Sequence, residues 1–280
     1  MVYVLFSIIL FLVLIKKKVL LSSLIEDRWS DKRVSLAGGM VFFIIVSFYI
    51  LFHHELDESI YIIILFSTAI FILGLIDDVF TLNAKDKFLW QLLIVYCFVR
   101  VLLHGIKGID DKWILFLLFT LGAVNSINMI DNMNGICGLT MLPILCSFTL
   151  IIPEFKQFFF ILIGVLTFFL FFNLKGKIFM GDSGSHYLGL ILAGFACYYS
   201  SNHFDIRAMI GIVLLFGASF LDTGYVVVRR TLNKNPFWIG DKNHLSHIIA
   251  RSFDGDILYS NVFFFIASLI FNLIGVKILL

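Results

Sequence analysis

Apolar runs of about 15–20 residues recur from one end of this chain to the other, close to the length a helix needs to cross hydrocarbon. They fall near 2–20, 38–52, 60–76, 88–103, 113–130, 138–152, 158–174, 187–200, 208–228 and 259–278. In lipid every backbone amide and carbonyl must be paired within its own segment, so such runs predict helices. The expected fold is therefore all-α: a polytopic transmembrane helical bundle of about ten spans. Composition leaves little room for a water-soluble alternative, because 60% of the 280 residues are hydrophobic and 14% are charged. Soluble proteins carry roughly 25% charged residues, and this chain has too little polar surface to cover its apolar content. No Pro/Ser-rich linker, repeat or low-complexity tract divides it, so residues 1–280 read as one transmembrane domain. Val2–Ile15 reads as the first span and not as a cleaved signal, because positive charge follows the run instead of preceding it.

Two function classes drop out early. A net charge of +2, with no basic stripe interleaved with aromatics, gives no basis for a nucleic-acid partner. The four cysteines, Cys97, Cys137, Cys146 and Cys197, are dispersed without a CxxC pair and read as small buried hydrophobes.

The basic residues orient the ten runs. Loops after the odd-numbered runs hold 15 of the 21 Lys and Arg residues, and the remaining loops and ends hold six. The positive-inside rule then makes the odd loops cytoplasmic and turns both termini outward. The polar clusters all fall on that same cytoplasmic side. Asp77-Asp78 ends the third run, Asn128–Asn134 follows the fifth, Gly181-Asp182-Ser183-Gly184 follows the seventh, and Asp241–His247 lies after the ninth. Four clusters distant in sequence at one membrane face point to a single site between helix ends.

Each cluster has a chemistry and a plainer alternative. Paired carboxylates at the edge of hydrocarbon are costly unless they hold a cation or a proton, so Asp77-Asp78 suits Mg²⁺ or a general base; it equally suits a helix end at the interface. Asn125, Asn128, Asp131, Asn132 and Asn134 suit contacts to a nucleotide base or a cation, or an ordinary turn. Asn128, Asp131 and Asn134 stand at helical spacing and would share one face if the helix continued. In KIFMGDSGSHYLG a glycine-flanked turn opens a helix, where Asp182 or Ser183 would cap it or Asp182 would ligate a metal carrying phosphate. In GDKNHLSHIIAR, His244 and His247 are three apart, and with Lys242 and Arg251 they suit a diphosphate; zinc needs more ligands. Asp222 lies in apolar surroundings, either functional or paired with a neighbouring helix. The inventory is acidic plus basic, suited to magnesium and phosphate, and open to cytosol and lipid at once. That fits the joining of a soluble phosphorylated donor to a membrane lipid.

In order and spacing these clusters resemble the polyprenyl-phosphate N-acetylhexosamine-1-phosphate transferase family (glycosyltransferase family 4), which includes the undecaprenyl-phosphate GlcNAc-1-phosphate transferases and the phospho-MurNAc-pentapeptide translocase. The resemblance runs from about Asp27 to Arg251. Asp77-Asp78 is similar to the family's aspartate pair, NMIDNMNGICGL to its Asn-x-x-Asp segment, FMGDSGSHYLG to its glycine-Asp-glycine motif and DKNHLSH to its histidine loop. Lys87 stands where members carry a lysine.

The resemblance implies transfer of a GlcNAc-like N-acetylhexosamine-1-phosphate from a UDP-sugar to polyprenyl (undecaprenyl) phosphate, giving polyprenyl-diphospho-sugar and UMP. The cofactor would be Mg²⁺, with Mn²⁺ a substitute, and the place the inner membrane of a bacterium. Catalytic roles pass to Asp77, Asp78 and His244, metal binding to Asp182 and Asp131, and substrate binding to Lys87, Asn128, Asp131, Asn134, His247 and Arg251. A homodimer stays open. Asn134 departs from the Asp of many members, and DRWSDKRVSLAGGM keeps paired glycines without the usual prolines and histidine. A histidine followed by Leu-Ser-His is closer to the GlcNAc-type members, while a UDP-deoxy-sugar such as a FucNAc or QuiNAc derivative remains open. A flippase or transporter is the other class, but transporters place polar groups at the midplane and carry repeats. The signature of a CDP-alcohol phosphotransferase is absent, and only Asn134 speaks for an inactive scaffold.

Overall fold

The computed structural model describes residues 2–20, 34–53, 56–104, 112–234 and 244–280. Among them the chain forms α-helices α1 (Val2–Lys17), α2 (Gly38–Phe52), α3 (Glu58–Phe80), α4 (Ala84–Leu102), α5 (Trp113–Ile130), α6 (Ile136–Ile151) and α7 (Lys156–Asn173). α8 (Gly181–Asn202), α9 (Ile206–Leu215), α10 (Gly217–Leu232), α11 (Leu245–Ser252) and α12 (Ile257–Leu279) follow. No strand forms among these residues beyond an isolated bridge between Ser35 and Ile178. A helix covers every one of the ten apolar runs. Four are long and apolar enough to cross a membrane (α3, α5, α7 with its leading Pro153–Phe155 turn, and α12), and a fifth is added if α9 and α10 count together.

α9 and α10 meet at 77°, so the ninth run is a broken helix and not one straight span. A break frees backbone groups, and in an apolar interior these need partners. Asn272 of α12 supplies one: its amide donates to the Leu215 carbonyl at 3.0 Å, while Ser147 donates to its oxygen at 2.8 Å. Beyond the break α10 is amphipathic, with Asp222 and Arg230 buried and Leu221, Val228 and Leu232 exposed.

The axis of the bundle is α8, buried along its length except at Asp182, Tyr198 and Asn202. It is less apolar than its neighbours and rich in Gly, Ala and Ser, the composition that lets helix backbones approach closely. α2, α3 and α5 pack around it. A side chain on Gly74 of α3 would stand 2.6 Å from the Ser183 Cα, and one on Gly184 would stand 2.6 Å from the Gly39 Cα of α2. Backbone therefore lies directly on backbone where α8 begins. Farther along, Phe195 of α8 packs among Phe148, Phe155, Phe158 and Phe159, the nearest ring 4.8 Å away.

Gly74→Val is expected to lower stability by about 1–3 kcal/mol or more, because the obstruction is backbone that cannot rotate aside. A thermal melt in detergent checks this; a midpoint equal to wild type would show that α3 and α8 are not held at this distance.

Candidate active site

Asp77 and Asp78 occupy the last turn of α3, followed by a short reversal into α4. Thr81 takes a left-handed conformation (φ 49°) and its amide closes on the Asp77 carbonyl at 2.9 Å. Asn83 then caps α4, accepting from the Lys85 amide at 3.2 Å. A β-branched residue in that region stores strain, which fits a turn fixed by its surroundings. The reversal returns Lys87 onto α3, where its ammonium donates to Asp77 Oδ2 at 2.8 Å and also to Asp182 Oδ2. Asp77 Oδ1 accepts from the Leu82 amide at 2.7 Å.

The two adjacent aspartates do different things. Both Asp78 oxygens face the start of α8, accepting from the amides of Asp182 (2.9 Å) and Ser183 (3.0 Å). The helix has no cap from its own flanking residues. The expectation that Asp182 or Ser183 caps α8 is thus replaced: Asp78 of another helix does so, and these two amides are not open to phosphate. The negative carboxylate also lies at the positive end of the helix dipole. Gly181 begins the helix at φ 75°, and a Cβ there would stand 2.8 Å from Asp78 Oδ2 and from the Leu36 carbonyl, so only glycine fits.

Asp182 is more accessible than the two groups it shares charge with, 33% of its side chain being exposed against 15% for Asp77 and 17% for Lys87. Its other oxygen receives Asn128 Nδ2 at 3.3 Å, and the same amide reaches Ser185 Oγ at 2.9 Å. The asparagine segment is otherwise not one helical face. α5 ends at Ile130, leaving Asp131 as its C-terminal cap and Asn134 in the turn that follows. Asn128 is therefore the residue of that segment that meets Asp182. Asn134 lies against Gly176, and its neighbour Gly135 donates to Asn173 Oδ1 at 2.7 Å while the Asn173 amide holds the Ile178 carbonyl at 2.8 Å. Asn173 thus ties the turn to the segment entering α8.

One turn deeper lies a second polar rung that sequence reasoning passed over. His186 Nδ1 donates to the Asp182 carbonyl at 2.6 Å, and the Gln91 amide meets His186 Nε2. Both residues are buried. The signal was present: Gln91 is four residues after Lys87, and His186 four after Asp182, so each pair shares a helix face. Ser185 and Asn173 were also missed, and neither stands out in type or spacing.

The histidine cluster begins α11. His244 is its N-terminal cap residue and His247 lies in the first turn, the rings 5.7 Å apart between centroids. Asp222 of α10, fully buried, receives His244 Nδ1 at 2.7 Å and the Leu245 amide at 2.8 Å. Asp222 is therefore paired with the start of α11. Arg251 is exposed at the far end of α11, its Nε donating to the His247 carbonyl at 3.2 Å. Ser246 donates to Asn132 Oδ1 at 2.9 Å, joining α11 to the asparagine turn. All four motifs are linked at one end of the bundle: α3 and α4 through Lys87, α5 and α8 through Asn128, α11 through Asn132. Asp241, Lys242 and the first-loop segment 27–33 lie outside the described residues.

Residues 60–200 match the glycosyl transferase family 4 model, half of the chain and the whole acidic part of this site. The chain belongs to glycosyl transferase family 4. Within that family it is 30% identical over 198 residues to a probable undecaprenyl-phosphate N-acetylglucosaminyl 1-phosphate transferase of Bacillus subtilis (strain 168), covering 64% of this chain and 54% of that protein. It is 28% identical over 220 residues to an undecaprenyl-phosphate alpha-N-acetylglucosaminyl 1-phosphate transferase of Thermotoga maritima (76% and 69% covered). A phospho-N-acetylmuramoyl-pentapeptide-transferase of Petrotoga mobilis is 27% identical over 219 residues (69% of each). The chain thus spans about half the length of the Bacillus relative. Its family-matched segment contains Asp77, Asp78, Lys87, Asn128, Asp131, Asn134 and Asp182 and stops before the histidine helix.

Because Asp78 accepts from the Asp182 and Ser183 amides that open α8, Asp78→Ala is expected to cost about 1–2 kcal/mol as a lost cap. Asp77→Ala should cost less, since Lys87 keeps Asp182. Parallel thermal melts of the two variants decide; equal losses, or a larger one for Asp77→Ala, would contradict this division.

Proposed function

We propose that this family 4 protein transfers an N-acetylhexosamine-1-phosphate, GlcNAc-like, from a UDP-sugar to polyprenyl phosphate, with undecaprenyl phosphate as the lipid. A phosphate oxygen of the lipid attacks the β-phosphorus of the donor. A new P–O bond forms, the bond from that phosphorus to the α,β-bridging oxygen breaks, and UMP leaves. The products are polyprenyl-diphospho-sugar and UMP. The observation that carries this reading is the convergence of Asp77, Lys87, Asn128 and Asp182 at one end of the bundle, with the histidine helix joined to them. The activities named for the Bacillus and Thermotoga relatives support the lipid and the GlcNAc-type sugar.

Phosphoryl transfer needs chiefly positioning and charge compensation. Lys87 supplies a cation between the two carboxylates and beside the accessible face of Asp182, where donor phosphates would lie. His244 and His247 stand at the start of α11 as further partners for the diphosphate, with Arg251 at its end. Asp78 is turned to the α8 amides, while Asp77 is held by the Leu82 amide and Lys87, so Asp77 is the member of the pair beside the cation that would receive the lipid phosphate. Asn128 is the carboxamide placed to hold Asp182 or reach the donor. The exposed apolar face of α10, with Leu221, Val228 and Leu232, offers a surface along which a polyprenyl chain can lie.

Mg²⁺ fits the donor set. Asp77 and Asp182 present oxygens to one cationic point, and Mg²⁺ is usually bound by one or two carboxylates together with substrate phosphates. Among the described residues no group of three or more His, Cys, Asp or Glu side chains forms a metal cage, which fits a hard ion held partly by substrate better than zinc. Asp182 would lead the binding, with Asp77 or Asp131 as second carboxylate. When bound there, the ion supplies positive charge to the diphosphate as its charge develops. With the basic loops inside, the site faces the cytoplasm of a bacterial inner membrane, on a bundle of about ten spans with outward termini.

The test uses detergent-purified protein, undecaprenyl phosphate, Mg²⁺ and a panel of UDP-N-acetylhexosamines including deoxy-sugars. At least one donor should release UMP in a lipid-dependent manner, with EDTA and Asp182→Asn each reducing the rate at least a hundredfold and Mn²⁺ restoring part of it. Folded protein that releases no UMP with any donor would sink the proposal.

A further inference from the structure

Asp222 lies fully buried on α10, outside the family-matched segment, and no step above uses it. A buried carboxylate is costly unless each oxygen finds a partner. Here Oδ2 lies 2.7 Å from His244 Nδ1 and Oδ1 accepts from the Leu245 amide at 2.8 Å. A carboxylate accepts only, so the hydrogen in the first contact belongs to Nδ1. That assigns the tautomer by bonding logic: Nδ1 is committed to Asp222, and Nε2 is the nitrogen left to face a substrate. The second contact fixes where α11 begins, immediately after the same histidine. One side chain thus sets both the position of His244 and which of its nitrogens is offered.

We propose that Asp222 is a positioning residue for the transfer reaction, acting through His244 by holding Nδ1 so that Nε2 is presented to the diphosphate of the donor. This rests on the transferase reading above. The same logic orders acid–base triads in which a carboxylate orients an imidazole without touching the reacting atoms.

Capping and tautomer control are separable, because Leu245 is the first helical residue. Proline is well tolerated there, and His244, at φ −61° and ψ 153°, already has the extended conformation that a residue before proline requires. Leu245→Pro removes the amide that Oδ1 accepts and leaves the His244 contact in place. Asp222→Asn keeps the shape but cannot accept from both Nδ1–H and the Leu245 amide through one oxygen.

The experiment measures kcat and donor KM by lipid-dependent UMP release, in detergent, for wild type, Asp222→Asn, Leu245→Pro, Leu245→Ala, His244→Ala and the Asp222→Asn/His244→Ala double variant. Folding is checked by thermal melt. Asp222→Asn should lower kcat at least tenfold with donor KM within about threefold, and should cost less than twofold when His244 is already alanine, since coupled residues are not additive. Leu245→Pro should stay within about threefold of Leu245→Ala. In protein labelled with ¹⁵N-histidine, the His244 signals, identified by their loss in His244→Ala, should report an Nδ1–H ring in wild type and a changed state in Asp222→Asn. Additive losses in the double variant, an Nε2–H ring in wild type, or equal damage from Leu245→Pro and Asp222→Asn would each overturn the proposal. Wild-type protein that releases no UMP would overturn the transferase reading and the catalytic role with it, while the ¹⁵N signals would still report the Asp222–His244 pair on its own.

Discussion

α8 starts inside the bundle, where its first amides have no bulk water to turn to, and Asp78 of α3 supplies two acceptors for them. Much of the site follows from that contact. With the start of α8 fixed against the end of α3, Asp182 emerges one residue into the helix, facing Lys87 and Asn128. Gly74 and Gly39 allow the approach by letting backbones touch, and Gly181 allows the entry. Larger residues at these positions would push the helix start outward and separate the carboxylates that share Lys87.

The same device recurs at the other half of the site. Asp222 holds the start of α11 as Asp78 holds that of α8, each carboxylate reaching from a neighbouring helix to a backbone amide beside a candidate site side chain. In water such caps come from the residue preceding the helix, because solvent covers any deficit. Within an apolar bundle the cap can come from across the packing interface, and it then fixes tertiary geometry along with helix length.

This explains what was readable in the chain and what was not. Helix positions followed the apolar runs because length and hydropathy decide them locally. The motifs could be grouped because their loops fell on one side by charge. The break at Phe216 was not visible in hydropathy, which stays high across it; the clue is the change after Gly217 to an amphipathic pattern bearing Asp222, Arg229 and Arg230. Asp131 and Asn134 left the expected helical face because α5 stops at Ile130, and helix ends are the least legible feature of a sequence. The different duties of Asp77 and Asp78 could not be read from adjacency at all. They arise because neighbouring residues on a helix point about 100° apart, so that one meets Lys87 and the other meets α8.

Two long side chains of α4 reach α8 in a fixed register: Lys87 meets Asp182 and, one turn on, Gln91 meets His186, each pair 95 positions apart. Two unlike rungs make a key. Sliding one helix by a full turn would either set the Lys87 ammonium against His186 and take it from Asp182, or set Val95 against the His186 imidazole and Lys87 against Ile178, so no neighbouring register is a near-equal alternative. Natural variation in the length of α4 should therefore accumulate on the far side of Gln91, toward the opposite end of the bundle, while the spacing from Asp77 to Gln91 stays constant. The lock that orients the acidic group is also a ruler that the rest of the helix must be cut to fit.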